Sequence, residues 1–305
     1  MLAYLFPGQG SQSVGMGSLL CQASPAAQSV FDQADRALGF EISTLCLDGP
    51  ADSLNDTFNT QPAIFTASIA ALRALEEQGG ERPTYVAGHS LGEFAALVAA
   101  EALSLEDGLK LVRERGRLMK KAGQRSPGGM AAILGLGREP VEALCEAASD
   151  GAGQYVVVAN YNCPGQIVIS GDCEALVRAL ELAEQQEARK AIRLAVSIGA
   201  HSPLMADAAA EFAQLLAETP FAKPAIPVVA NATARPLATV EAIREALGKQ
   251  LTSPVYWDDS VRWMIDHGVT QFIEVGPNQV LTGLLKRIDR SVERQTTAQA
   301  LGTAA

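Results

Sequence analysis

Apolar and polar positions follow two rhythms along the chain. Short continuous apolar runs, such as MLAYLF at the N-terminus and TYVAG before residue 89, stop at proline or glycine and read as strands buried on both faces. Between them lie segments with apolar residues three and four apart, which read as helices. These include SPAAQSVFDQADRAL, QPAIFTASIAALRALEEQG and LGEFAALVAAEAL. The segment SLEDGLKLVRERGRLMKKAG is a further helix, opened by Ser104 with acidic residues in its first turn and closed by Gly123. Strands alternating with helices predict a parallel sheet covered by helices.

From about residue 126 the order changes to βαββαβ: GGMAAILGL, REPVEALCEAA, QYVVVANYN, GQIVISG, DCEALVRALELAEQQ and ARKAIRLAV. That order is the ferredoxin-like arrangement. The expected organisation is an α/β large subdomain with a parallel sheet from residues 1–125 and 198–288, with a ferredoxin-like insert at 126–197. The last segment, 289–305, carries little apolar content and is expected to be mobile.

Composition narrows the class. The 305 residues carry a net charge of −10 with no clustered lysine or arginine stretch, which argues against nucleic acid and anionic membrane as partners. The N-terminus lacks the basic leader of a secretory signal, and no apolar stretch approaches a bilayer span. Five scattered cysteines without a C-x-x-C pair read as reduced thiols, which predicts a cytoplasmic protein without a metal site.

The segment VAGHSLGE places Ser90 between Gly88 and Gly92, after an apolar strand and before a helix. A serine on such a sharp turn is exposed, and the N–H of the next residue can face a developing oxyanion. Serine needs a base, and the chain holds three histidines. His89 adjoins the serine and should leave the turn in another direction. His267 precedes a glycine at a helix end. His201, after a β run and before a helix, remains as the partner of Ser90. The acidic residues between positions 90 and 201 look like helix-surface groups, so a backbone carbonyl is expected to orient the imidazole.

One cation lies out of place. In the helix that follows Ser104, Leu105, Leu109, Val112, Gly116 and Met119 form the apolar stripe, and Arg115 falls beside it between Leu111 and Met119. An inward guanidinium needs an anion, and a substrate carboxylate gripped by its fork would serve. With an activated serine, this points to an acyl group bearing a carboxylate at its far end, of which malonyl is the simplest. An internal salt bridge or a snorkelling side chain is the structural alternative.

FPGQGSQ, GHSLGE, RGRLM, AHSPLM, QLTSPVYW and EVGPNQVLTGLL together resemble the malonyl-CoA:acyl carrier protein transacylases, including the free-standing acyltransferases of polyketide synthesis. The resemblance implies an α/β-hydrolase-like large subdomain with a ferredoxin-like small one, with Ser90 as the acylated nucleophile, His201 its base and Arg115 the carboxylate clamp. It further implies that backbone N–H groups of Gln9 and Leu91 form the oxyanion hole and that the Gln250 carbonyl orients His201. No bound cofactor is implied; malonyl-CoA is the donor, a phosphopantetheinylated acyl carrier protein the acceptor, and a monomer the expected state. Ala200 departs from the Phe or Ser common before the histidine and widens the pocket, whereas Leu91 fits malonyl selection. Lys120, Lys121, Arg189 and Lys190 are candidates for a basic patch facing an acidic carrier. A hydrolase clearing acyl groups from carriers, or a non-catalytic docking subunit, are the rival functions.

Overall fold

The computed structural model describes residues 1–151 and 153–303. Two sheets organise it. The first contains β1 (Leu2–Phe6), β2 (Tyr85–Gly88), β7 (Val228–Val229), β8 (Pro236–Leu237), β9 (Gln271–Glu274) and β10 (Glu293–Thr296), in the order β10-β9-β1-β2-β7-β8. All its pairings are parallel except β7 with β8. The second contains β3 (Gly128–Leu134), β4 (Val156–Cys163), β5 (Gln166–Asp172) and β6 (Lys190–Arg193), antiparallel throughout in the order β4-β5-β3-β6. With helices Arg138–Ala148 and Cys173–Gln185 as its crossovers, this is the ferredoxin-like order. The fold class is the one expected, α/β with a separate antiparallel sheet.

The period of two along β1 explains its position at the centre. Leu2, Tyr4 and Phe6 enter the larger core, packed by helices Pro25–Leu38, Thr57–Glu77, Leu105–Arg125 and Val240–Gln250. Ala3 and Leu5 face the opposite side, against helices Trp257–Asp266 and Val280–Ile288. A strand covered on both faces shows no polar alternation, as its continuous apolar sequence requires. The second sheet packs its own core of Ile133, Leu144, Ile169 and Leu176. It joins the first unit through β4, where Tyr161 N–H donates to Val255 O at 2.9 Å and Val255 N–H to Ala159 O at 2.8 Å.

Three expectations need correction. The helix read as closing at Gly123 runs from Leu105 to Arg125. A Cβ at Gly123 would lie 3.0 Å from Ile198 Cγ1, so this glycine makes room for a neighbour instead of ending the helix. The helix read from Gln61 starts at Thr57, because the Asp56 carboxylate caps Phe58 N–H at 3.0 Å; Pro62 is then interior. The tail expected to be mobile supplies the edge strand β10 and a short helix, Thr297–Ala300, pinned by Thr297 Oγ1 donating to Glu274 O at 2.9 Å. Ala304 and Ala305 lie outside the described residues. No helix among the described residues is long and apolar enough to cross a membrane.

Candidate active site

The turn between β2 and helix Gly92–Ala99 carries Ser90 at φ 50°, a left-handed conformation that costs a non-glycine residue energy. Its glycines are steric requirements. A Cβ on Gly88 would sit 1.9 Å from the Gly92 carbonyl carbon, and one on Gly92 would sit 2.0 Å from Phe6 O. Gly8 likewise lets the end of β1 pass under the turn, since its Cβ would meet His89 O at 2.4 Å. The serine is thus held at the carboxyl end of two adjacent parallel strands.

His201 meets it from 111 residues away: Ser90 Oγ and His201 Nε2 are 2.8 Å apart. The imidazole is 3% exposed and precedes the short 3-10 turn Pro203–Met205. Its Nδ1 lies 2.8 Å from Gln250 O and 3.1 Å from Ser253 O. Carbonyls only accept, so Nδ1 carries the hydrogen and Nε2 is left as acceptor for the serine hydroxyl. No carboxylate touches this histidine among the described residues. Burial and then the nearby Arg115 cation push its pKa down to about 3, which keeps the ring neutral.

Arg115 points inward from helix Leu105–Arg125 and is 1% exposed. Nη1 donates to Gln61 Oε1 at 2.9 Å, while Nη2 donates to Gln250 Oε1 at 3.0 Å and to Ser90 Oγ at 3.1 Å. Nε is buried with no acceptor among the described residues. Burial lowers the guanidinium pKa to about 10, with Glu93 opposing, so the group stays charged at neutral pH. A cation whose neighbours are mostly neutral amides has been desolvated without full compensation. An anion entering beside it would supply that compensation.

These groups share a cavity of about 280 Å³. Gln9 and Leu91 line it, and among the described residues neither backbone N–H donates to a protein acceptor. Ser90's own N–H is taken by Asn231 Oδ1 at 2.6 Å. The opposite wall comes from the antiparallel unit and its exit: Met130, Ala132, Val168, Leu194 and Val196, with Asn160 and Asn162. Ala200 also faces the cavity. His89 leaves the turn towards Asn162, 2.8 Å from its Oδ1, and His267 stacks on Trp263 at the end of helix Trp257–Asp266.

Sequence reasoning missed Glu93, Asn231 and Gln61. Glu93 had a signal, being an acid in a helix that is apolar on every side. The other two had none. The expected basic patch divides: Lys120 pairs with Asp56 at 2.5 Å and Lys121 with Glu211 at 2.7 Å, which removes both as free cations. Arg189 and Lys190 are exposed and make no ion pair among the described residues. Arg189 shares a trough with Arg287, whose Nη1 donates to Gln166 Oε1 at 2.7 Å at the edge of the main cavity.

Comparison with known proteins fits this geometry. Residues 3–305 match the acyl transferase domain family. The chain is 44% identical over 286 residues to the malonyl CoA-acyl carrier protein transacylase of Escherichia coli K12, covering 94% of this chain and 92% of that protein. The solved structure of the malonyl CoA-acyl carrier protein transacylase from Coxiella burnetii superposes with a TM-score of 0.96 at 42% identity, covering 99% and 96% of the two chains. A malonyl-transacylase solved in complex with a type II PKS acyl-carrier protein gives 0.94 at 39% identity, covering 99% of each.

Proposed function

The chain belongs to the acyl transferase domain family, and from that premise we propose that it moves a malonyl group from CoA to the phosphopantetheine thiol of an acyl carrier protein. The observation that carries the reading is the buried guanidinium of Arg115, 3.1 Å from a serine Oγ that is itself 2.8 Å from a neutral imidazole. Nucleophile, base and carboxylate anchor face one cavity.

His201 Nε2 takes the hydroxyl proton as Ser90 Oγ attacks the thioester carbonyl. The oxyanion turns towards the N–H groups of Gln9 and Leu91. CoA leaves as its thiol, receiving the proton from the imidazolium, and Ser90 keeps the malonyl ester. In the second half the carrier thiol gives its proton to His201 and attacks the ester; as the intermediate collapses, the imidazolium returns that proton to Ser90 Oγ, which frees both residues. The Gln250 and Ser253 carbonyls hold the imidazole tautomer through both halves and accept the hydrogen of the transient imidazolium. Arg115 grips the malonyl carboxylate two carbons along from the ester carbonyl, exchanging its contact with Oγ for two charge-assisted hydrogen bonds. That grip orients the acyl group for transfer and disfavours attack by water.

The chemistry asks for no resident cofactor. A single chain completes the site, consistent with a monomer, and free cysteines fit a cytoplasmic setting. Arg189 and Arg287 at the rim suit the phosphate of an incoming pantetheine arm better than the paired Lys120 and Lys121 do. Intact-mass measurement tests the reading. Incubation with malonyl-CoA adds one malonyl group, addition of holo-carrier removes it and yields malonyl-carrier, and Ser90→Ala gains nothing. Release of free malonate instead of malonyl-carrier would make the protein a hydrolase.

A further inference from the structure

Beneath the turn lies a carboxylate that the mechanism above does not use. Glu93, on helix Gly92–Ala99, is 1% exposed. Its Oε1 accepts the Asn231 backbone N–H at 3.3 Å and its Oε2 accepts Gln250 Nε2 at 2.5 Å. Both partners grip the nucleophile's own backbone. Asn231 Oδ1 accepts Ser90 N–H, and Asn231 Nδ2 donates to Gly88 O at 2.6 Å. Gln250 Nε2 donates to Ser90 O at 3.0 Å, its Oε1 receives Arg115 Nη2, and its backbone carbonyl receives His201 Nδ1. Gln250 therefore touches all three members of the site, and Glu93 accepts from the same amide nitrogen that bonds Ser90 O.

We propose, building on the reading above, that Glu93 is a positioning residue for acylation: its ionised carboxylate locks the Gln250 amide and, through Asn231, the Ser90 backbone, so that protonating it slows attack by Ser90. The argument is one of donors and acceptors. Both Glu93 oxygens meet N–H donors, and an ionised carboxylate only accepts. A protonated carboxyl brings an O–H into a space where its neighbours already present hydrogens. Relief requires the Gln250 amide to turn over, so that Oε1 faces Glu93. The NH2 end then faces Arg115, a donor against a donor, and Ser90 O loses one of its bonds.

Burial raises the Glu93 carboxyl to about 7, with the Gln250 and Asn231 bonds and the Arg115 charge opposing. The charged and titratable groups around it are Arg115 on helix Leu105–Arg125, His201 across the turn and His89 within it. Arg115 stays cationic, while burial lowers both histidines. Glu93 is thus the group whose charge changes near neutrality.

The test follows acylation of the full chain in single turnovers, using the malonyl thioester of N-acetylcysteamine, a donor without phosphates, from about pH 5.5 to about pH 8.5. The wild type is expected to speed up with pH along a one-proton limb. Glu93→Gln, which has nothing to titrate, loses that limb and is slower by about tenfold or more at the alkaline end. Glu93→Asp, the second variant, keeps a limb with a shifted midpoint. A wild-type rate that is flat across this range overturns the proposal, as does a Glu93→Gln enzyme that retains the limb or the wild-type rate. Should Glu93→Gln fail to fold, the wild-type profile and the Asp variant decide. No acylation of the wild type at any pH sinks the functional reading instead.

Discussion

The two walls of the cavity are built on opposite principles. The wall from the parallel-sheet unit presents Ser90, Arg115 and His201, backed by Glu93, Asn231 and Gln250 in a nearly saturated polar network whose contacts are 2.5–3.1 Å, apart from the longer one between Asn231 and Glu93. The wall from the antiparallel unit and its exit is mostly apolar: Met130, Ala132, Val168, Leu194 and Val196 make contact by shape alone, with Asn160 and Asn162 as polar exceptions. In a buried polar network each member fixes its neighbours, and a change at one is felt at all. On an apolar wall a change of one side chain alters volume and little else. Chemistry should therefore be brittle on the first wall, and acyl-group preference adjustable on the second.

The strongest break is His201→Asn. Asparagine tolerates the φ of 58° at this position, so the backbone is kept while the base is lost. Acylation by malonyl-CoA should fall by about 10²–10⁴-fold in single turnovers. A smaller but still large effect is expected at Arg115. Arg115→Met relieves the desolvation of a buried cation but leaves Gln61 Oε1 and Gln250 Oε1 without their donor, so the free protein should lose about 1–3 kcal/mol of stability. Malonyl loading should fall by about 10²–10³-fold, with acetyl-CoA less affected, because a buried charge pair with substrate is worth ~2–5 kcal/mol. Loss of malonyl and acetyl loading in equal measure would show that the guanidinium serves only the protein's own network.

The same division governs what could be read from the sequence. The Ser90 turn, the choice among histidines and the inward Arg115 were legible because each is a local anomaly: a glycine-flanked serine, a histidine between a strand and a helix, a cation beside an apolar stripe. Asn231 and Gln61 carry no anomaly. Each is an ordinary amide in an ordinary segment, and its role arises from a contact 141 or 54 residues away. Gln250 was assigned only its carbonyl, since nothing local shows that its side chain also reaches Ser90, Glu93 and Arg115. Helix ends failed for a related reason. Gly123 looks like a stop until Ile198 is seen against it, and Asp56 is a cap only if the helix begins before Pro62. The tail read as mobile pairs through its backbone with β9, and parallel pairing leaves no side-chain signature in a polar segment.

The polar wall also shapes stability against pH. His201, lowered from 6.5 to about 3, contributes stability above 6.5 that is lost as pH falls towards its folded value. Glu93, raised from 4.5 to about 7, acts in reverse: its contribution is present below 4.5 and lost as pH rises through its folded value. Between 4.5 and 6.5 the two oppose each other. Urea denaturation of His201→Asn across that window should therefore show stability falling with rising pH relative to the wild type. Parallel curves for the two proteins would mean that the folded imidazole titrates as freely as in the unfolded chain.

The smallest effect belongs to the apolar wall. Met130, partly buried, sits on β3 and lines the cavity, as does Ala200 beside His201. Met130→Ala enlarges the volume available to a branch on the malonyl α-carbon while leaving every hydrogen bond of the polar wall in place. Because a methylene in an apolar pocket is worth only ~1–3 kcal/mol, acylation by methylmalonyl-CoA relative to malonyl-CoA should rise by about tenfold. The malonyl rate itself should stay within a few-fold of the wild type, since neither proton transfer nor the carboxylate grip passes through this residue. An unchanged ratio would place the α-carbon away from β3, and a collapse of the malonyl rate would mean that the second wall carries chemistry after all.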